Sequence, residues 1–337
     1  MNIVFFETTN EEKEILSKTF AGFSVTCTDK KLTKETVDMA SGADIVSVFV
    51  NSTVSSEVID ALPNLKHIST RSTGYDHIDS VYAKTKNISV STVPSYGSET
   101  VAEFAFSLLL NLSRKTSDAV RQIREEGSFD ISHFRGFDLA GKTIGVLGTG
   151  RIGKHVITIA QGFGMKVVAF DAFPNTAYAT EQNFTYAPLH EVLAQSDVVT
   201  IHTPYNKDTF HLLNKESIAS MKKGSYLINT ARGEIVDTEA LIWGLQEGII
   251  AGAALDVLEG ERPLKEEAEF LFAKSTSDVS KEQEFKILLE DHMLMKMPQV
   301  LITPHIAFSS VEAENEILKT TIDNIESFIH NTPKNTI

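Results

Sequence analysis

Short apolar runs rich in β-branched residues recur along the chain, separated by stretches in which apolar residues return every three or four positions. The runs Asn2 to Phe6, Ile45 to Val50, Lys66 to Thr70 and Ile88 to Thr92 read as buried strands, and the spacing between them reads as helices. The first 95 or so residues therefore predict a small doubly wound α/β unit. Pro94 interrupts the chain, and Ser98 then opens a long helix, apolar on nearly all faces to about Leu112, suited to linking domains and to burial at a dimer interface. The alternation resumes with strands at Lys142 to Leu147, Lys166 to Phe170, Val198 to His202, Tyr226 to Asn229, Ile250 to Leu255 and Val300 to Thr303. A last helix, Val311 to Ile329, has no further strand to support and is expected to return to the first unit. The chain then crosses between units near Pro94 and near Pro304, which makes these crossings the expected hinge.

Between the strand ending at Leu147 and the helix Ile152 to Gln161 stands GTGRIG. In that context Gly148 suits a tight turn, Gly150 lets the backbone approach a pyrophosphate, and Gly153 allows close helix-to-strand packing. The phosphates would face the helix N-terminus. Asp171 ends the next strand, 18 residues after Gly153, where an acid accepts ribose hydroxyls and repels a 2′-phosphate. The cofactor expected is NAD on a Rossmann-type doubly wound parallel sheet. The late position of this turn sets about 140 residues ahead of it, enough for a separate domain.

Composition narrows the class. With 31 basic against 45 acidic residues and a net charge of −14, a nucleic-acid or anionic-membrane partner is disfavoured. Cys27 is the only cysteine, so an intramolecular disulfide and a cysteine-based metal site are excluded and a reduced, cytoplasmic setting is expected. The start, MNIVFFETTNEEKE, resembles neither a signal nor a transit peptide, and Phe104 to Leu112 is far shorter than the roughly 20 residues of a membrane span. No metal is expected. Four polar residues stand at or beyond strand ends on one sheet edge: Arg232 in LINTARGEIVD, Asp256 in AALDVLEGERP with Glu261 five residues on, and His305 in ITPHIAF. Open α/β sheets bind ligands at that edge, and a guanidinium there offers a planar fork to a carboxylate.

Taken together, GTGRIG with Asp171, HTP at 202–204, NTARGEIVD, ALDV followed by Glu261, and TPH at 303–305 resemble the D-isomer-specific 2-hydroxyacid dehydrogenases, over essentially the whole chain. The resemblance implies a Rossmann-type NAD domain over 99–304 and a smaller flavodoxin-like substrate domain formed from both chain ends, 1–98 and 305–337. It assigns Arg232 to the substrate carboxylate and carbonyl, His305 to general acid/base work and Glu261 as its partner. Gly148, Gly150, Arg151, Ile152, Gly153, Asp171, Thr203, Pro204, Thr209, Thr230, Ala231 and Asp256 match positions that contact NAD. In STRSTGYDHID, Thr73 and Gly74 match a segment whose backbone N–H groups hold the substrate carboxylate, while Phe49, Tyr96 and Phe308 fall near the side-chain pocket of lactate-type members. Family members are commonly homodimers. Reduction of a 2-oxo acid needs a proton donor and a cation where oxyanion charge develops, and an ionised Glu261 would stabilise the His305 imidazolium.

AFSS at 307–310 and the run ending in LLEDHMLMKMPQVLITPHIAF look most like the D-lactate subgroup, so a short aliphatic 2-oxo acid such as pyruvate is the leading substrate. Phe49 stands where some lactate-type members carry tyrosine. A hydroxypyruvate, glycerate or phosphorylated hydroxy acid dehydrogenase is the alternative, with Arg71 compatible with it. An NAD-sensing corepressor-like interaction protein is the alternative of another class, and formate oxidation is disfavoured because that branch uses glutamine at the Glu261 position. Residues 262–298, with Lys265, Glu266, Glu267 and Glu269, read as a solvated helical insertion.

Overall fold

Two parallel sheets organise the chain, each in its own compact unit: Met1–Gly97 with Ser309–Ile337, and Ser98–Phe308. The computed structural model describes residues 1–261, 264 and 279–337. In the first unit the strands are β1 (Asn2–Phe5), β2 (Ser24–Cys27), β3 (Ile45–Val48), β4 (His67–Thr70) and β5 (Ser89–Ser91), in the order β2-β1-β3-β4-β5. Both central strands β3 and β4 are buried at every position, as expected of a parallel sheet covered on two faces. β2 was not apparent from the hydrophobic pattern: it is an edge strand, SVTC, with no buried residue.

Helix α1 (Asn10–Thr19) begins with a reciprocal capping box. The Glu12 N–H donates to Thr9 Oγ1 at 3.2 Å and the Thr9 N–H to Glu12 Oε2 at 2.7 Å. Its buried face, Leu16, meets Ile3, Phe5, Phe20 and Ile45, joined by Leu318 and Ile325 of the last helix, Val311–Ile329. The final helix thus closes one face of the first sheet.

The second unit holds β6 (Thr143–Leu147), β7 (Lys166–Phe170), β8 (Thr185–Tyr186), β9 (Val198–Ile201), β10 (Ser225–Asn229), β11 (Ile250–Leu255) and β12 (Val300–Ile302). Their order, β12-β11-β10-β9-β6-β7-β8, reverses direction between β6 and β9, the doubly wound arrangement. On one face the long helix Ser98–Arg114 packs Ala102, Ala105, Phe106 and Leu109 against Val156, Ile157 and Ala160 of the helix Arg151–Gly162. The opposite face is covered by Leu193, Ile218, Leu241 and Leu245.

Two expectations shift. The chain enters the second unit at Ser98 and leaves it after Phe308, four residues later than the anticipated 304, because buried hydrogen bonds tie residues 303–307 to the end of β11. Most of the supposed insertion, including Lys265, Glu266, Glu267 and Glu269, lies outside the described residues. Its described part is the helix Val279–Lys296, exposed at most of its described positions but anchored by a buried seam of Leu288, Asp291 and Leu294, which the reading as a wholly solvated helix did not include.

One buried base links this fold to pH. His67 on β4 lies between the Ser89 and Ser91 hydroxyls, at 2.8 and 3.0 Å, and stacks on Phe328 with ring centroids 4.4 Å apart. Burial pushes its pKa down to about 4. Between that value and the ordinary value near 6.5 the unfolded chain binds a proton that the folded chain does not, so stability falls as pH falls through the window. The expected loss from this group between pH 6.5 and 5 is roughly 2 kcal/mol. Urea unfolding at the two pH values should show a correspondingly smaller loss in His67→Gln; equal losses would contradict the assignment.

Candidate active site

The glycine turn shows why glycine is needed at two of its three positions. Gly148 has φ +93°, and a Cβ there would stand 2.7 Å from the carbonyl carbon of His202, where β9 leaves the sheet. A Cβ on Gly153 would stand 2.0 Å from the Gly148 carbonyl oxygen, so the helix could not approach the turn. Gly150, by contrast, has nothing within 4 Å of its missing side chain: the space is open, and the helix starts there without a side-chain cap. An open backbone at an uncapped helix N-terminus suits a pyrophosphate. Arg151 is exposed, whereas Ile152 is partly buried against the core.

Asp171 closes this corner. Its Oδ2 accepts the Thr149 N–H at 2.7 Å and hydroxyl at 2.8 Å, and its Oδ1 accepts the Phe173 N–H at 2.8 Å. Burial pushes its pKa up, but these bonds outweigh it and hold the carboxyl below its ordinary range. A fixed anion there suits a ribose diol and repels a 2′-phosphate. Further along the edge, the Thr203 and Thr230 hydroxyls are buried with no partner among the described residues. Buried unpaired polar atoms call for a ligand's polar groups, so the chain's own features fit NAD. Thr209 is more committed to its own turn, donating to the Pro204 carbonyl at 2.7 Å and accepting the Asn206 N–H at 2.8 Å.

At the end of β10, Asn229 is the residue the sequence left without a role. It is 1% exposed; its Oδ1 accepts the Ala231 N–H at 3.0 Å and its Nδ2 donates to the Arg232 carbonyl at 2.8 Å. This clamp shapes the loop that presents Arg232, whose Nη1 also donates to the Ala231 carbonyl at 2.8 Å. Next to it, a Cβ on Gly233 would stand 2.0 Å from the Leu258 carbonyl carbon, so this loop lies directly on the turn that carries Glu261.

His305 and Glu261 meet: Nδ1 lies 2.9 Å from Glu261 Oε2, while Glu261 Oε1 accepts the Leu258 N–H at 3.2 Å. His305 has a left-handed backbone, φ +56°, which costs a non-glycine residue about 1–3 kcal/mol. Asp256 offsets that cost. At 1% exposure, it accepts the Thr303 hydroxyl at 2.5 Å and the N–H groups of Ile306 and Ala307 at 3.0 and 2.7 Å. Burial raises its pKa, opposed by those bonds. The resemblance made Asp256 an NAD contact; the structure gives it a further task, holding the histidine loop to the sheet. A second, half-buried link escaped the sequence: His211 Nε2 lies 2.8 Å from Glu259 Oε1, and the other oxygen of that carboxylate accepts the Thr238 hydroxyl at 2.9 Å.

The first unit carries Phe49, Thr73, Gly74 and Tyr96; Phe308 ends the second. The backbone N–H groups of Thr73 and Gly74 have no partner among the described residues. Phe49 is held by its N–H, which donates to Glu7 Oε2 at 3.0 Å; the same carboxylate accepts the Asn51 N–H and the Ser52 hydroxyl. Arg71 is 2% exposed and donates to the Glu7 carbonyl at 2.6 Å, so it supports this loop from inside and does not offer a surface guanidinium for a phosphate. Phe308 and Tyr96 are both half-buried.

The doubly wound sheet and its cofactor corner define a nicotinamide-dependent dehydrogenase. Residues 106–307 match the family model described as D-isomer specific 2-hydroxyacid dehydrogenase, NAD binding domain. The chain is 38% identical over 303 residues to 2-hydroxyacid dehydrogenase A of Aspergillus oryzae, covering 88% of this chain and 82% of that one. It is 34% identical over 331 residues to D-lactate dehydrogenase of Escherichia coli, covering 97% and 96%. Among solved structures, D-lactate dehydrogenase from Aquifex aeolicus, complexed with NAD and lactic acid, superposes with a TM-score of 0.84 at 34% identity, covering 98% of this chain and 96% of that one. The chain belongs to the D-isomer specific 2-hydroxyacid dehydrogenase family and is an NAD-dependent oxidoreductase. Among the described residues no helix is long and apolar enough to cross a membrane.

Asn229→Ala removes both bonds of the clamp while leaving Arg232 in the chain. Steady-state assays with a 2-oxo acid should show kcat/KM reduced about tenfold or more, the loss of roughly 1–3 kcal/mol expected for unpaired buried groups, with NADH affinity changed far less. An unaltered kcat/KM would show that the clamp does not govern Arg232.

Proposed function

We propose that the enzyme reduces pyruvate, or a related short aliphatic 2-oxo acid, to the D-2-hydroxy acid, with His305 as proton donor. The observation that carries this reading is the 2.9 Å contact between His305 Nδ1 and Glu261, on a loop fixed by Asp256. With Nδ1 engaged, Nε2 is the nitrogen left to give a proton to the carbonyl oxygen. Bound NADH supplies the hydride. Arg232 binds the substrate carboxylate and stabilises negative charge as it develops on that oxygen. In the reverse direction neutral His305 takes the hydroxyl proton.

For NAD we assign the Gly148–Gly153 turn, Asp171, and the loops bearing Thr203, Pro204, Thr209, Thr230, Ala231 and Asp256. For substrate we assign the free N–H groups of Thr73 and Gly74 to the carboxylate and Phe49, Tyr96 and Phe308 to the side chain. Aromatic walls favour a small apolar group, and the buried Arg71 removes the support for a phosphorylated substrate. The lactate bound in the Aquifex aeolicus relative points the same way. The working form we propose is a cytoplasmic homodimer; Phe129 and Ile131, each 82% exposed in the second unit, suit a buried interface.

His305→Ala should lower turnover by roughly 10²–10⁴-fold, the usual share of a positioned general acid, with NADH still bound. Following NADH oxidation over a panel of 2-oxo acids, with NADPH as control, tests the substrate. Preference for pyruvate supports the proposal, activity confined to hydroxypyruvate replaces it, and tight NADH binding without turnover on any member favours an NAD-sensing role.

A further inference from the structure

Behind the Glu261 turn lies a carboxyl group that the chemistry above does not use. Asp291, on the helix Val279–Lys296, is 0% exposed, and neither carboxyl oxygen has a hydrogen-bond partner among the described residues. It occupies the place a side chain at residue 260 would need: a Cβ on Gly260 would stand 2.5 Å from Asp291 Oδ2 and 2.9 Å from Ile287 Cγ2. The carboxyl group therefore rests against the backbone of the residue immediately before Glu261.

The surroundings are acidic. Burial pushes the Asp291 carboxyl up to about 7, and Glu259, Glu290 and Glu261 add to the shift while the nearby Gly260 N–H opposes it. The groups facing it are few and mostly committed. Glu259 is held by His211, and Glu290 lies 3.5 Å from Lys286. Lys286 in turn reaches Glu239 on the neighbouring helix Thr238–Gln246, and β12 brings no titratable side chain. No cation among the described residues is paired with Asp291 itself. A neutral carboxyl group fits this space; an ionised one would face three carboxylates with only the Gly260 N–H to set against them.

We propose that Asp291 is a positioning residue for the Glu261–His305 pair: its neutral carboxyl supports the Gly260 backbone, and its ionisation displaces the turn and draws Glu261 away from His305. This rests on the roles given above to Glu261 and His305. Asp291 touches neither substrate nor NAD in this account and acts only through the turn.

Asp291→Asn keeps the shape and cannot ionise. For wild type and variant, kcat for pyruvate reduction is measured from pH 6 to 8.5, and the thermal unfolding midpoint from pH 4.5 to 7.5. The expected result is that wild-type kcat falls at least three-fold more steeply toward alkaline pH than that of the variant. Because the folded chain retains the Asp291 proton above the unfolded value of 3.8, the contribution of this group to stability should fall with rising pH across the second range, so the wild-type midpoint should drop relative to that of the variant as pH rises. Superimposable kcat profiles would overturn the positioning role, even with the stability difference present, because Asp291 would then titrate without acting on the site. Gly260→Ala supplies a test by shape: it should lower turnover, and lower it less when Asp291 is also alanine; an equal loss in both backgrounds would overturn the proposal. His305→Ala, assayed alongside, separates the two failures, since near-normal turnover there removes the reading of the pair, and this proposal with it, whatever Asp291 does to stability.

Discussion

The Asp256 carboxylate is the constraint on which the catalytic edge depends. It is buried at the end of β11 and receives three donors from residues 47 to 51 positions later, the Thr303 hydroxyl and the N–H groups of Ile306 and Ala307. A buried carboxylate is tolerable only when its oxygens are satisfied, and here the donors come from the single loop that carries His305. The same bonds keep His305 in its left-handed conformation, with Nδ1 on Glu261. One carboxylate thus fixes the strained loop that carries His305.

The rest of the edge follows the same logic. Each strand end delivers a short loop, and a buried or half-buried polar side chain sets its shape: Thr149 and Asp171 at the glycine turn, Asn229 beneath Arg232, Glu259 with His211 beside the Glu261 turn. In the first unit Glu7, itself at φ +54°, does the same for the loop bearing Phe49. Hydrogen bonds from charged groups to backbone N–H are worth more than neutral ones, and removing either partner leaves the other buried and unsatisfied. Reactive groups are therefore held by bonds that do not themselves take part in the reaction.

This division explains what the sequence revealed. The glycine turn and Asp171 were legible because their spacing follows from local backbone geometry, and Gly148 and Gly153 occupy positions where a Cβ would collide with neighbouring backbone. Strands with both faces buried were legible as apolar runs, whereas β2, polar and at an edge, was not. The supports were hidden because a side chain bonded to backbone some 50 residues away leaves no periodicity. Asp256 was noticed as an acid at a strand end and as a match to an NAD-contacting position, not as a support for the His305 loop, and Asn229 stood unremarked inside its motif. The second unit runs on to Phe308 and not to the expected 304 for the same reason, since the Asp256 bonds carry residues 303–307 with it.

If Asp256 fixes the proton donor, weakening it should impair chemistry more than binding. The most direct measurement is the single-turnover rate of NADH oxidation by pyruvate in Asp256→Asn, followed by stopped flow at saturating concentrations of both. The amide replaces one accepting oxygen with a donor facing the loop N–H groups, so the account predicts a rate lowered by about 100-fold or more, within the range a misplaced general acid allows, in a protein that remains folded. A single-turnover rate close to that of the unaltered enzyme would contradict it.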